Sequence, residues 1–479
     1  MSRTIFEKGR SGRSAYPLPA NDCPSDGLNL PAERTGSLGL PEVGEQDLIR
    51  HYMELAAKNH HVDKGFYPLG SCTMKYNPLV NEEVARLGGF TGLHPSQDEE
   101  DVQGALELMH RLEADLCEIC GMDAFSLQPA AGAHGELTGM MMAAALFADR
   151  GEERTTVIVP DSAHGTNPAS VALCGFTPKT IPSNDRGLID PAELKKAVGD
   201  DTAVLMLTLP NTLGLFERDI EEIVRIVHEA GAVIYMDGAN MNALLGILQP
   251  GRIGIDIMHV NLHKTFSTPH GGGGPGSGPV GVLGPLKEFL PLPRIVLDEG
   301  RYRFSYEGDK TIGNVHPYYG NFNVFVKAYA YIRALGAEGL REVSDNAIIN
   351  ANYLQALLSK WYHLEYPGPC MHEFVVSAAN LKKYGVRTLD VAKRILDFGM
   401  HAPTVYFPLI VEEALMVEPV ETESKEALDY FAEVMEAIAG EAKENPDILL
   451  QAPVTTPLRR LDEAAAARSP DLCWPGESC

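Results

Sequence analysis

The sequence predicts an α/β fold, with a mainly parallel sheet in a large domain and a smaller C-terminal α/β domain. Three observations carry that reading. From about Ser126, short apolar runs alternate with helical patterns, as in a sheet built from strand–helix crossovers. Several of those runs stop abruptly at polar residues beside Gly, Pro or Asn, the punctuation expected at the lip of such a sheet. The chain has 479 residues, 44% of them hydrophobic, enough for two or three globular units of roughly 100–200 residues.

Residues 1–45 are rich in Pro, Gly and polar side chains without a sustained period. They predict an extended arm, of the kind that wraps a partner subunit or stays unstructured. Residues 45–58 have the spacing of an amphipathic helix, with Leu48, Tyr52, Leu55 and Ala56 on one face. Residues 60–78 mix turn formers with aromatic and sulfur side chains, the composition of a functional loop. A short helix is expected over 80–87, a loop over 88–97 and a long helix over 99–120. Cys117 and Cys120 form one C-x-x-C inside that helix with no second pair, which favours packing over zinc.

Residues 125–128 lead into small residues that open a helix over 135–148. Strands are expected over 155–159, 177–181, 203–209, 232–236 and 257–262, separated by helices over 165–174, 188–198 and 219–230. A helix over 324–335 then leads to the second α/β unit, which begins near Ala337. Its expected helices span 344–359, 388–398 and 425–445, and its strands lie over 374–377 and at Leu409. The division this suggests is 1–95 for the arm and active-site loops, 96–330 for the large domain and 331–479 for the small one.

The stretch from Met258 to Lys264, followed by four consecutive glycines, organises the rest. In parallel sheets ligands bind at the carboxyl ends of strands. His164, Thr208, Asp237, His263 and Lys264 are all expected at that lip. Each has an ordinary reading alone: a strand-end lysine can snorkel to water, a lone histidine packs in the core or on the surface, and an aspartate caps a helix. Together they meet the needs of pyridoxal phosphate (PLP). A desolvated Lys264 is an amine nucleophile that can hold the aldehyde as an imine. Asp237 can set its carboxylate against the pyridine nitrogen, keeping it protonated so that the ring accepts electrons. His164 can stack on the ring, and His263 stands beside the lysine. The turn Ala131, Gly132 and Ala133, at a helix N-terminus, can bind the phosphate, with Thr208 as a further cofactor contact. The order phosphate turn, stacker, aspartate, lysine is that of PLP-dependent transferase-like enzymes of fold type I, the aspartate-aminotransferase-like class.

The net charge of -25 argues against nucleic acid or an anionic membrane surface as partner. No apolar run approaches a membrane span. The N-terminus has no signal-peptide core, and the eight irregularly spaced cysteines suit a reducing cytoplasm.

Longer motifs make the chain recognisable. They are Tyr67-Pro-Leu-Gly-Ser-Cys-Thr-Met-Lys75, Gln128-Pro-Ala-Ala-Gly-Ala-His-Gly-Glu136, Pro160-Asp-Ser-Ala-His-Gly-Thr-Asn-Pro168, Asp237-Gly-Ala-Asn-Met-Asn242, Asn261-Leu-His-Lys-Thr-Phe266 and Tyr319-Gly-Asn-Phe322. On these the chain resembles the P-proteins of the glycine cleavage system, in particular subunit 2 of their two-chain form. The resemblance runs over nearly the whole length. It departs at Pro129-Ala-Ala131, where an Asn-Ser version is familiar, and in the segment from Cys473 to Cys479. It implies PLP on Lys264, decarboxylation of glycine and transfer of the aminomethyl group to the lipoyl arm of the H-protein. It further implies a P-protein subunit 1 as partner in an α2β2 heterotetramer. The loop 67–75 and His263 become candidates for lining the lipoyl-arm channel. Two alternatives remain beside it: another fold type I PLP decarboxylase or carbon–sulfur lyase, and a non-catalytic scaffold subunit, which should lack the lysine or the aspartate.

Overall fold

The structure is a computed structural model that describes residues 3–14, 19, 22, 36, 38–270, 274 and 276–471. Much of the expected arm, most of the glycine run and the segment from Cys473 to Cys479 lie outside the described residues. The chain divides into two compact units, Met1–His61 with Thr455–Cys479, and Val62–Val454.

In the first unit a short helix, Ile5–Lys8, is closed by a reciprocal cap between Thr4 and Glu7. The amphipathic helix is present as Glu45–Ala56. Its expected apolar face differs from expectation: only His51 is buried, and Tyr52 and Leu55 are exposed.

The second unit is built on a seven-stranded sheet. Its strands are β1 (Ala124–Ser126), β2 (Thr156–Pro160), β3 (Thr177–Ile181), β4 (Thr202–Thr208), β5 (Val233–Gly238), β6 (Ile257–Val260) and β7 (Val280–Val282), in the order β1-β7-β6-β5-β4-β2-β3. Strands β3, β2, β4, β5 and β6 run parallel, whereas β7 is antiparallel to both β6 and β1. Every residue of β4 and β5 is buried, as a sheet covered on both faces requires. Alternation sorts their side chains into two cores. Leu205, Leu207, Ile234 and Met236 pack with Leu112 and Ile223 of the helices Gln103–Cys120 and Ile220–Glu229. Val204, Met206, Val233 and Tyr235 pack with Met140 and Ala143 of the helix Gly132–Arg150.

A hairpin of β8 (Arg294–Asp298) and β9 (Arg301–Ser305) follows, then one long helix, Phe322–Leu358. The sequence predicts two helices here. They run together across Gly336, whose φ of 62° marks the break near the expected boundary. A three-stranded antiparallel sheet comes next: β10 (Phe374–Ser377), β11 (Thr404–Val405) and β12 (Ala414–Val417), in the order β10-β12-β11. Phe374, Val376, Leu415 and Val417 pack on Leu428, Phe431 and Met435 of the helix Lys425–Glu444.

Four local expectations need correcting. The long helix starts at Gln103, because Glu99 instead accepts the N–H of Phe304 on β9 at 2.7 Å. The helix expected from Gly135 starts at Gly132, so the small-residue turn is itself the first helical turn. Strand β6 ends at Val260, because the Asn261 carbonyl accepts the N–H groups of Lys264 and Thr265 and turns the chain. Leu409 lies in a turn and is 86% exposed; the strands of that region are β11 and β12.

Candidate active site

One cavity of about 390 Å³ opens at the carboxyl ends of β2, β4 and β5. Gly132, Ala133, His164, Thr208, Asp237, His263 and Lys264 all line it. The remaining expected residue, Ala131, is the N-cap of the helix Gly132–Arg150 and its carbonyl accepts the Gly135 N–H at 2.9 Å.

The turn after β6 delivers Lys264 to the cavity, half-buried, with Nζ donating to the Ser71 carbonyl at 2.8 Å. Asp237 sits on β5, opposite Thr208 on β4 and His259 on β6. Burial pushes its carboxyl up. The imidazole of His259, the Ala239 N–H at 2.9 Å, Lys264 and His164 more than offset that, and hold it below the usual carboxylate range. Asp237 is therefore a buried anion at neutral pH.

His259 orients that anion. Its ring is buried and its pKa is pushed down by burial, against the pull of Asp237. It is a neutral imidazole. Its Nε2 stands 3.4 Å from Asp237 Oδ1, an acceptor, which favours the proton on Nε2 and leaves Nδ1 to accept from the Tyr235 hydroxyl 2.6 Å away. Glu136, one turn into the helix Gly132–Arg150, is pushed up to about 7 by burial and by Asp237, although the Thr166 and Ser170 hydroxyls donate to it at 2.9 and 3.2 Å. Two neighbouring buried carboxyls thus separate into an anion and a group that holds a proton near neutrality.

Both expected histidines are neutral. Burial lowers His164, with Asp237 opposing; its Nδ1 lies 2.9 Å from Thr166 Oγ1 and its ring meets Phe407 edge-on at 5.6 Å. His263 is pushed down to about 4 by burial, Lys264 and His270, and its Nδ1 accepts the Ser277 N–H at 3.2 Å.

The turn Ala131, Gly132 and Ala133 ends in an uncapped helix start. Among the described residues no side chain caps the helix Gly132–Arg150 at Ala131, which leaves its first N–H groups open to a ligand. A Cβ at Gly132 would stand 2.6 Å from Asn261 Oδ1, so only glycine fits.

The loop 67–75 divides. Leu69, Gly70, Ser71 and Cys72 line the cavity. Tyr67 stacks on His401 at 4.0 Å. Lys75 is buried and anchors the loop through Glu421 at 2.7 Å and the Thr265 carbonyl at 2.8 Å. Burial pushes the Cys72 thiol up, so it stays protonated despite Lys264. Sequence reasoning missed Glu136, His259 and Asn261 as site residues. A signal existed: Ile257, His259 and Asn261 alternate onto one face, and Glu136 lies one helical turn beyond Gly132.

Comparison with known proteins places this geometry. The family described as Aminotransferase class-V matches residues 135–273, and Glycine dehydrogenase, C-terminal domain, matches residues 343–453. The chain is 58% identical, over 98% of both chains, to a probable glycine dehydrogenase (decarboxylating) subunit 2 of Caldanaerobacter subterraneus subsp. tengcongensis. It is 57% identical to the protein of that name in Bacillus velezensis, over 98% of this chain and 96% of the relative. Among solved structures it is similar to a glycine decarboxylase (P-protein) of the glycine cleavage system in inhibitor-bound form, with a TM-score of 0.70 and 22% identity over 87% of this chain and 93% of the other. A sphingosine-1-phosphate lyase of Burkholderia pseudomallei gives 0.63 at 17% identity, over 85% and 92%. These likenesses show the expected fold, a mainly parallel α/β sheet of the fold type I class. On its identity to these relatives over nearly its whole length, the chain belongs to the glycine dehydrogenase (decarboxylating) subunit 2 family.

Proposed function

We propose that this chain carries PLP on Lys264, decarboxylates glycine, and passes the aminomethyl group to the lipoyl arm of an H-protein. The observation that carries the reading is one cavity that joins the Lys264 amine, the Asp237 anion and an uncapped helix N-terminus. The residues fit the cofactor. Among the described residues, Thr208 Oγ1 and Asn261 Oδ1, both lining the cavity, are buried polar atoms with no partner, as in a site shaped for a polar group.

When bound, PLP supplies a cationic ring that takes up the electron pair left as CO2 departs. The chain does the rest. Lys264 provides the amine that binds the cofactor. Asp237, kept ionised, holds the ring-nitrogen proton, with His259 fixing its orientation. The first turn of the helix Gly132–Arg150 receives the phosphate. His164 offers a planar neutral face to the ring, and His263 stands beside Lys264 as a neutral imidazole able to take or give a proton. Leu69, Phe407 and the backbone at Gly70 wall the cavity. That wall lets water be excluded from a substrate carboxylate, which favours its loss.

The assembly is an α2β2 heterotetramer with subunit 1 of the two-chain enzyme, in the cytoplasm. The names of the relatives, subunit 2, support a partner chain. Among the described residues no helix is long and apolar enough to cross a membrane. We place the cofactor domain at 96–330 and the small domain at 331–479. The test is exchange of labelled bicarbonate into the glycine carboxyl by the chain with PLP, lipoylated H-protein and subunit 1. Exchange in the full mixture, and its loss when subunit 1 is omitted, is expected. No exchange, with PLP spectroscopically bound to Lys264, moves the activity to another fold type I decarboxylase or lyase.

A further inference from the structure

A second group of buried ionisable side chains lies beside the cavity. Glu373 immediately precedes β10 and Glu418 immediately follows β12. The register Phe374↔Val417 makes them the next rung of the antiparallel pair. Both are 0% exposed, as is His372. One ligand-type atom of each of the three lies within 4.8 Å of the others. Neither domain core nor catalytic residue named above needs two acids here, and burying them is costly.

Their partners are on the active-site loop. Glu373 Oε2 accepts the Ser71 N–H at 2.6 Å. Glu418 Oε1 accepts the Thr73 hydroxyl at 2.6 Å, and the Asn242 amide at 3.3 Å. Ser71 has a φ of 60°, a left-handed conformation that a non-glycine residue keeps only when its surroundings impose it. Its carbonyl then accepts Lys264 Nζ at 2.8 Å. Strands β11 and β12 hold the same loop from the other side. Thr404 Oγ1 donates to the Gly70 carbonyl at 2.9 Å, Leu69 bridges to Val417, and a Cβ at Gly70 would fall 2.2 Å from Met416 Cγ.

We propose that Glu373 and Glu418 are positioning residues for Lys264: from the end of the three-stranded sheet they grip the loop 70–73, and the Ser71 carbonyl so fixed aims the lysine amine into the cavity. The inference rests on the reading of Lys264 as the cofactor-binding amine. Charge agrees with it. Burial pushes Glu373 well above the ordinary range, and its neighbour Glu418 adds to the shift. Glu418 itself is pushed up to about 7, mainly by burial. His372, pushed down to about 3 by burial and Lys264, supplies no cation. Glu373 therefore holds its proton at neutral pH, while Glu418 titrates close to neutrality, so the pair carries at most a partial charge. It acts as a hydrogen-bonding clamp and does not compete with Asp237 for the charge of Lys264.

The test uses the full chain with subunit 1, freed of cofactor. Two readouts are taken: the rate at which added PLP develops the absorbance of its lysine-bound form, and amide hydrogen exchange of residues 70–73 before PLP is added. Glu373→Met keeps the volume and removes the acceptor. It should slow attachment about ten- to a hundredfold, the effect of one lost buried hydrogen bond, and deprotect the Ser71 amide. Glu373→Gln, still an acceptor, should recover the rate to within about threefold. Attachment rates and exchange unchanged in Glu373→Met would overturn the proposal. Should that variant not fold, Thr73→Val carries the comparison, with a slowing of about three- to tenfold expected and an unchanged rate overturning. Borohydride reduction and peptide mapping separate the two questions. Label on Lys264 with unaltered rates removes the clamp and leaves the proposed function; label on another lysine removes both.

Discussion

Asp237 and Glu373 are both fully buried carboxyls that feel Lys264, yet their surroundings drive them in opposite directions. Asp237 stands on a central strand of the large sheet beside the Ala239 N–H and the Nε2 of His259, within the field of Lys264. These outweigh burial and keep it charged. Glu373 stands at the end of the small sheet beside another acid, satisfied by the Ser71 N–H at 2.6 Å and the Asn240 amide at 3.5 Å. It keeps its proton. The difference teaches that position near a cation does not decide charge; the other ionisable groups packed against the carboxyl do, an imidazole at Asp237 and a second acid at Glu373. In the roles proposed above, one acid faces a cationic ring and the other holds a loop.

The comparison can be broken most severely at the shared cation. Lys264→Ala should abolish the absorbance of the lysine-bound cofactor and lower glycine-dependent bicarbonate exchange by about a thousandfold or more, since the covalent anchor is lost. Full turnover in that variant would remove the site from Lys264 altogether. A milder break is His164→Ala, which removes one planar contact. A drop of about five- to tenfold in kcat with a shifted cofactor spectrum is expected, from the size of a stacking contact. An unchanged spectrum would mean that His164 does not touch the ring.

The two acids also differ in how they tie folding to pH, and a thermal scan of the cofactor-free protein sharpens this. Asp237 is depressed when folded. Its contribution is present above the unfolded value of about 3.9 and is lost as pH falls through the lower folded value. Glu418, the partner of Glu373, is raised to about 7. Its contribution is complete below the unfolded value of about 4.3 and is lost as pH rises toward the folded one, at a limiting slope of about 1.4 kcal/mol per pH unit. Glu418→Gln should flatten the fall in Tm across that upper window and leave the acid limb unaltered. A Tm profile in Glu418→Gln that parallels the parent would show that Glu418 titrates normally.

Much of the large domain was legible in the sequence because its signals are local. The buried runs of β4 and β5 and the helices between them have clear periods, and Thr208, Asp237, His164 and Lys264 fall at strand ends where ligands gather. The long-range half was not legible. Glu373 and Glu418 are 45 residues apart in sequence and meet only through the pairing of β10 with β12. Their link to Lys264 passes through the Ser71 backbone, which carries no side-chain signal. The helix start at Gly132 was missed because its N-terminus has no capping side chain to announce it. Strand β7 was missed because Val-Gly-Val is too short to show a period, and its place is fixed by pairing with β6 and β1.

The most direct test is bicarbonate exchange by the assembled enzyme in two amide isosteres, Asp237→Asn and Glu373→Gln. The expected result is a loss of about a hundred- to a thousandfold for Asp237→Asn, which removes an anion where charge develops, against a change within about threefold for Glu373→Gln, which replaces one neutral acceptor by another. Equal losses in the two, or the larger loss at Glu373, would contradict the division of charge on which the site is built.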